Sequence, residues 1–328
     1  MYYLQSQKIL KTIKKSKNIL INIHRNPDLD SVGSATALYQ ALMKMGKRVS
    51  LVCPNKIPDN FKFLKGADSV ETVDFKEWAR KPRPYDLFLI LDSGSYDIVT
   101  GSKEIKLPKI NKIIIDHHLT NNWKDYKLRL LDTKTSATAE IVYGMLKDWG
   151  VDIDTNISTS LLSGIAGDTV FFKYPKNPAV MFSLVSELMK NGANYNLLIE
   201  NFNDSLSFGF IKLLGEFLNN MEMESSPNGK FVWSAVPFAV FEKYGRPRGV
   251  RETAADSFFR SIKDVDFGVA LLEEEKGKIS MSFRSKQNFD VSKIAESFGG
   301  GGHKCAAGAT VYGNVDQIIG KIKEATKV

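Results

Sequence analysis

Three short apolar runs, NILINIH ending on His24, YDLFLILD ending on Asp92 and KIIIDHH ending on Asp116, His117 and His118, each stop at groups that ionise or bind metals. Their β-branched, uninterrupted texture reads as strands covered on both faces, which belong to parallel sheets wound with helices. Helical periodicity fills the intervals: SVGSATALYQALMKMG follows the first run and DFKEWAR precedes the second. RVSLVCP and SVETVD complete the strand set, so the first half predicts a βα-wound sheet. Ligands of such sheets bind at the carboxyl ends of the strands, so several strands deliver acids and imidazoles to one edge.

From Thr135 the texture turns helical, with apolar stripes at three- and four-residue spacing in TSATAEIVYGMLKDWG, ISTSLLSGIAGDTV, PAVMFSLVSELMKNG and LSFGFIKLLGEFLNN. Turn residues in SSPNGK then precede KFVWSAVP, a helix ETAADSFFRSIK and a hairpin DFGVALLEEEKGKISMSFRS. A chain of 328 residues exceeds the roughly 250 to 300 at which single cores stop growing. The expected organisation is α/β with two domains: a parallel-sheet domain over 1–204, a helical linker over 205–229, and a smaller α/β domain over 230–328.

Hydrophobic residues at 43% and charged residues at 25% exclude a disordered chain. No apolar run approaches the roughly 20 residues that span a bilayer, and MYYLQSQKILKTIKKSK lacks the core of a secretory signal. The expectation is a soluble cytoplasmic protein without a membrane partner. Cys53 and Cys305 alone exclude a disulfide framework and a thiolate zinc site. A net charge of +8 and a pI near 9.2 favour a polyanionic partner. Lys8, Lys11, Lys14, Lys15 and Lys17 interleave with Leu10 and Ile13 and read as a solvated helix face.

All four histidines lie in motif-like clusters: His24 in HRNPDLD, His117 and His118 in IIIDHH, and His303 in GGGGHKCAAG. With Asp28, Asp30, Asp92 and the Asp168 of GIAGDTV, His24 and His117 make a set of two imidazoles and four carboxylates. Capping accounts for the acids singly but not for imidazoles beside them at successive strand ends. So many carboxylates share one site only when cations neutralise them. The set is too large for one ion and suits two divalent ions about 3.5 to 4 Å apart, bridged by a carboxylate and a water. Nitrogen and oxygen ligands without thiolate suit manganese best, with magnesium or cobalt as substitutes.

HRNPDLDS, LDSGS, IIIDHH and GIAGDTV, in this order, resemble the four motifs of the DHH phosphoesterase superfamily. SMSFRSK followed by VSKIAESFGGGGHKCAAGA resembles the DHH-associated C-terminal domain of its oligoribonuclease, cyclic-dinucleotide phosphodiesterase and RecJ-like members. The resemblance implies that His24, Asp28 and Asp92 hold one manganese, and that Asp30, Asp92, His117 and Asp168 hold the other, with Asp92 as the bridge. It implies that His118 faces the scissile phosphate and that Asp116 orients the ligands from behind. Leu29 departs from the small residue common between the two acids, which puts the shape of that turn in question.

In the second domain, four successive glycines let backbone amides approach an anion, and Arg284 offers a planar donor fork. The resemblance assigns Arg284, Gly301, Gly302 and His303 to the part of a nucleotide remote from the metals, with the cleft between domains measuring the substrate. It implies hydrolysis of short oligoribonucleotides to mononucleotides, and of 3′-phosphoadenosine 5′-phosphate (PAP), by a metal-activated water. The alternative is a phosphodiesterase of cyclic di-AMP or its linear product pApA. A non-catalytic nucleotide-binding protein would have lost ligands, and all six are present. Monomer and homodimer remain equally open, with a short RNA or nucleotide as the expected partner.

Overall fold

A computed structural model describes residues 3–326 except 79, 81–83, 108, 119–122, 124–125, 127, 203–205, 227–228 and 287–288. The chain divides into two compact units, Met1–Ser205 and Leu206–Val328. Among the described residues no helix is long and apolar enough to cross a membrane.

In the first unit α1 (Leu4–Lys15) leads into β1 (Asn18–Asn22), α2 (Leu29–Lys44), β2 (Arg48–Cys53), β3 (Val70–Thr72), α3 (Phe75–Trp78), β4 (Leu87–Leu91), α4 (Tyr96–Thr100), β5 (Asn111–Asp116) and β6 (Arg129–Leu131). Four helices follow: α5 (Thr138–Asp148), α6 (Thr155–Asp168), α7 (Pro178–Lys190) and α8 (Tyr195–Phe202). The strands form one parallel sheet in the order β3-β2-β1-β4-β5-β6. The order reverses between β1 and β4, so the connections leaving those two strands diverge and open a crevice at their carboxyl ends. β6 escapes a sequence reading because three residues carry no periodicity.

Alternation along the strands feeds two cores. Ile19, Ile21, Leu89, Leu91, Ile113 and Ile115 join residues of α2, α5 and α6 on one face, while Leu20, Val52, Phe88, Ile90 and Ile114 meet Phe75, Trp78 and Trp123 on the other. Each such side chain contributes about 1.5 to 3 kcal/mol on full burial. Both faces are covered, as the apolar strands require.

α2 and α6 approach closely because glycines line their contact. A Cβ on Gly33 would lie 2.4 Å from the Ser160 carbonyl oxygen, and one on Gly167 would lie 2.5 Å from the Leu29 Cβ. Leu29 therefore does not distort the turn between Asp28 and Asp30. It opens α2 and packs, buried, into the space that Gly167 leaves.

The second unit begins with α9 (Phe208–Asn219), β7 (Glu222–Ser226), β8 (Gly229–Val236), α10 (Phe238–Lys243) and α11 (Val250–Thr253). It ends with β9 (Phe267–Glu275), β10 (Lys278–Ser285), α12 (Val291–Ser297), β11 (Gly301–His303), β12 (Ala306–Tyr312) and α13 (Val315–Ala325). Its sheet runs β11-β12-β10-β9-β8-β7 and is antiparallel except for the β8–β9 pair. The segment read as a linker contains α9 and β7, and Phe210, Leu213 and Phe217 of α9 join Val232, Val236 and Phe259 in one core.

The glycine seam makes a stability prediction. Gly33→Ala forces Cβ against backbone and should destabilise the first unit by about 1 to 3 kcal/mol, whereas Gly215→Ala, in open space within α9, should stabilise the second by about 0.5 to 1 kcal/mol. Urea unfolding of each variant checks both signs.

Candidate metal centre

The crevice collects residues from the ends of β1, β4 and β5 and from three helices. His24, two residues past β1, has Nδ1 2.8 Å from the Arg25 carbonyl oxygen. A carbonyl only accepts, so Nδ1 carries the proton and Nε2 keeps its lone pair for a ligand. Nε2 lies 3.4 Å from Asp28 Oδ2 and 3.5 Å from Asp92 Oδ2. Asp28 is also the N-cap of α2: its Oδ1 accepts from the Ser31 amide at 2.9 Å, which leaves Oδ2 towards His24.

Asp30 sits in the first turn of α2 and is fully buried. Its Oδ1 accepts from Ser34 Oγ at 3.0 Å and the Ala139 amide at 2.9 Å, and its Oδ2 from the Thr138 amide at 2.6 Å. The N-cap position of α5 is Ala137, which has no capping side chain, and Asp30 supplies that function from another helix.

Asp92 follows β4 with φ at +50°, a left-handed conformation that costs a non-glycine residue on the order of 1 to 3 kcal/mol. The Asp92 amide donates to the Ile115 carbonyl at 3.0 Å, and Oδ1 accepts from Thr138 Oγ1 at 2.9 Å. Asp116 Oδ1, at the end of β5, accepts from the amides of His117 and His118 and lies 2.7 Å from His118 Nδ1. Asp168 is the last residue of α6 and places Oδ2 3.0 Å from His117 Nε2. Beyond it Val170, Phe171 and Phe172 all take positive φ, a left-handed turn closed by the Phe172 amide donating to Thr169 Oγ1.

Both ring nitrogens of His117 are buried without a hydrogen-bond partner, although Nε2 is also 3.5 Å from Asp92 Oδ1. A buried imidazole nitrogen facing carboxylates without a hydrogen bond fits a shared cation. Among the described residues three groups bring ligand atoms within 4.8 Å of one another: His24, Asp28 and Asp92; Asp30, His117 and Asp168; and Asp92, His117 and His118. All six expected ligands therefore fall in one cluster, and Asp92 and His117 each belong to two groups.

The electrostatics show what a cation would relieve. Burial, then the charges of Asp92 and Asp168, push the Asp30 carboxyl well above the usual range. Burial also lifts Asp168, to about 6, against the opposing effect of His117. Burial acts the same way on Asp92, but the contact with His24 and the charges of His117 and His118 outweigh it and hold that carboxyl well below the ordinary value. Burial disfavours charge on His117 and His118, yet Asp168 and Asp92 for the first, and Asp116 and Asp92 for the second, raise both to about 9. Without metal, then, protons on the imidazoles balance the acids, and a cation has to displace them.

Thr138 and Ser34 were not among the residues expected from the sequence. The available signal was the hydroxyl run Thr135, Ser136 and Thr138 ahead of a helix, all three of which are buried. In the second unit, Arg284 on β10 stands opposite Ala306 of β12, which stands opposite His303 of β11. Arg284 Nε is 3.4 Å from Asp256 Oδ1. The glycine run is an edge strand: a Cβ on Gly300 would lie 2.1 Å from the Gly308 carbonyl oxygen, and one on Gly302 2.5 Å from that of Ala306. Gly301 has open space, so strand packing does not account for its missing side chain. The role expected for the His303 side chain falls outside the described residues.

The N-terminal domain model of the DHH family matches residues 18–165, and the DHHA1 domain model matches residues 229–327. The chain carries a DHH-family N-terminal domain followed by a DHHA1 domain. It is similar to the bifunctional oligoribonuclease and PAP phosphatase NrnA of Thermus thermophilus, at 28% identity over 94% of this chain and 89% of that protein. NrnA of Bacillus subtilis is 23% identical over 97% of this chain and 98% of its own length. Among solved structures, an exopolyphosphatase-related protein of Bacteroides fragilis superposes with a TM-score of 0.90 at 25% identity, covering 98% of this chain and 95% of that one. DHH proteins are divalent-metal-dependent phosphoesterases, and this chain is a hydrolase of phosphoester bonds.

The raised imidazoles predict that divalent metal binding at pH 7 releases protons and weakens as the pH falls, because the neighbouring acids hold a proton on His117, raised to about 9, that a ligand has to give up. Calorimetry of metal binding in buffers of different ionisation enthalpy should show a buffer-dependent heat. An identical heat in every buffer would contradict the charge balance described above.

Proposed function

We propose that this chain is a manganese-dependent phosphoesterase of the cytoplasm that cleaves short oligoribonucleotides to mononucleotides and removes the 3′-phosphate of PAP. The observation that carries the reading is the buried His117 ring, without a hydrogen bond, where Asp30 of α2, Asp92 after β4 and Asp168 at the end of α6 converge. The pair of activities comes from relatives that match nearly the whole chain.

In this reading His24, Asp28 and Asp92 hold one ion, and Asp30, Asp92, His117 and Asp168 hold the other. The ions supply an activated water and stabilise negative charge on phosphorus-bound oxygens. Manganese suits the mixed nitrogen and oxygen donors, with magnesium or cobalt as substitutes. His118, held through Nδ1 by Asp116, presents Nε2 as a proton donor to a phosphate oxygen, and the Asp116 contact favours the charged ring. Asp116 is a positioning residue, since its Oδ1 is engaged with two amides and the ring it orients. Thr138 holds Asp92 at the shared position. Arg284, Gly301, Gly302 and His303 take the part of the nucleotide remote from the metals.

One panel tests the reading: dinucleotide RNA, a longer oligoribonucleotide, cyclic di-AMP, pApA and PAP, each with manganese and with a chelator control. Dinucleotide and PAP should turn over and cyclic di-AMP should lag. Turnover of cyclic di-AMP alone would overturn the assignment. Asp28→Ala and Asp168→Ala should each reduce kcat by at least about 100-fold, the scale of losing one electrostatic contact to the transition state, with the circular dichroism spectrum unchanged.

A further inference from the structure

A cavity of about 420 Å³ lies in the first unit beside the metal centre, lined by residues that follow β1, β2, β3 and α4. Its volume is that of a small-molecule site. Arg25 and Asn26 form part of its wall, and they occupy the turn between His24 and Asp28. The turn is braced from the far wall: Asn26 adopts φ +50° and its amide donates to Asn55 Oδ1 at 2.8 Å. Cavity and metal cluster thus share one short stretch of chain, the turn from His24 to Asp28.

The lining says what class of group fits. Pro54 and Ile105 offer apolar surface, while Asn55, Thr72, Asp74 and Ser102 supply polar groups. Flat apolar contact with a polar rim matches a nucleobase and its sugar. A second phosphate is disfavoured because Asp74 is an acid and the Arg25 guanidinium is already paired with Asp97 at 3.3 Å.

We propose that this cavity receives the nucleoside that carries the scissile phosphate on its 5′-oxygen. The inference rests on the function proposed above and extends it. A centre that serves both PAP and a dinucleotide breaks one bond in common, from phosphorus to a 3′-oxygen. Water adds its oxygen to phosphorus, the phosphorus–O3′ bond breaks, and the 3′-oxygen leaves with a proton. Both substrates therefore share the leaving nucleoside, but only the dinucleotide has a second nucleoside on the other side of phosphorus. Residues that serve the second nucleoside act on RNA and are irrelevant to PAP.

The test is Thr72→Trp, at the exposed rim on β3, with Ser102→Trp as an independent obstruction after α4. Neither residue belongs to the metal cluster. Each should lower kcat/KM for a dinucleotide RNA by about tenfold or more, the scale of an obstructed pocket, and leave PAP turnover within about twofold of wild type. Unchanged dinucleotide cleavage in both variants overturns the proposal, as does an equal loss on both substrates in the variant that retains the wild-type circular dichroism spectrum. A wild-type enzyme inactive on both substrates overturns the proposed function itself and the cavity assignment with it.

Discussion

The Asp30 carboxylate is the contact on which the first unit turns. It is fully buried, it receives two amides from the start of α5 and a hydroxyl from its own helix, and it lies against α6 where a Cβ on Gly164 would come within 2.8 Å of its Oδ1. One side chain thereby fixes three helices against each other. An ionised carboxylate in that position is unfavourable without compensation, and helix N-terminal amides compensate only part of a full charge. The remainder comes from the imidazoles, from a cation or from a proton on Asp30 itself, whose carboxyl is pushed well above the usual range, so the helix packing and the metal site are one electrostatic problem.

The acids solve it by dividing their oxygens. Asp28 uses Oδ1 to cap α2 and turns Oδ2 to the centre. Asp92 accepts from Thr138 on Oδ1 and faces His24 with Oδ2. Asp116 spends Oδ1 on the backbone and ring of the residues after it. Holding an acid in two ways at once limits its rotation, which keeps the ligands preorganised. The left-handed backbone at Asp92, and at Val170 to Phe172 beyond Asp168, lies in the same neighbourhood, where surrounding contacts sustain strain for the sake of side-chain aim.

Much of this was legible because strand ends are marked in sequence by an abrupt change from β-branched residues to acids and imidazoles, as at His24, Asp92 and Asp116. The capping role of the DxD pair and its place in the cluster are both present at Asp28, so the two readings of that motif were not rivals. Other features had no local signature. Thr138 touches Asp92 and Asp30 only because β6 and the turn after it bring α5 to the crevice, a long-range fact that a three-residue strand does not announce. The glycines of GIAGDTV flank an acid in sequence, yet Gly164 and Gly167 are set by the approach of α2. Likewise GGGGH carries no strand signal because glycine is rare in strands, and its edge strand shows only in the pairing of Gly301 to His303 with β12.

The proposed centre is dinuclear, with Asp92 shared between the two ions. Manganese titration by equilibrium dialysis, read together with the electron paramagnetic resonance of the bound ions, tests it most directly. It predicts two manganese ions per chain with an exchange-coupled spectrum. One bound ion at saturation, or two with the spectrum of isolated manganese, would contradict it.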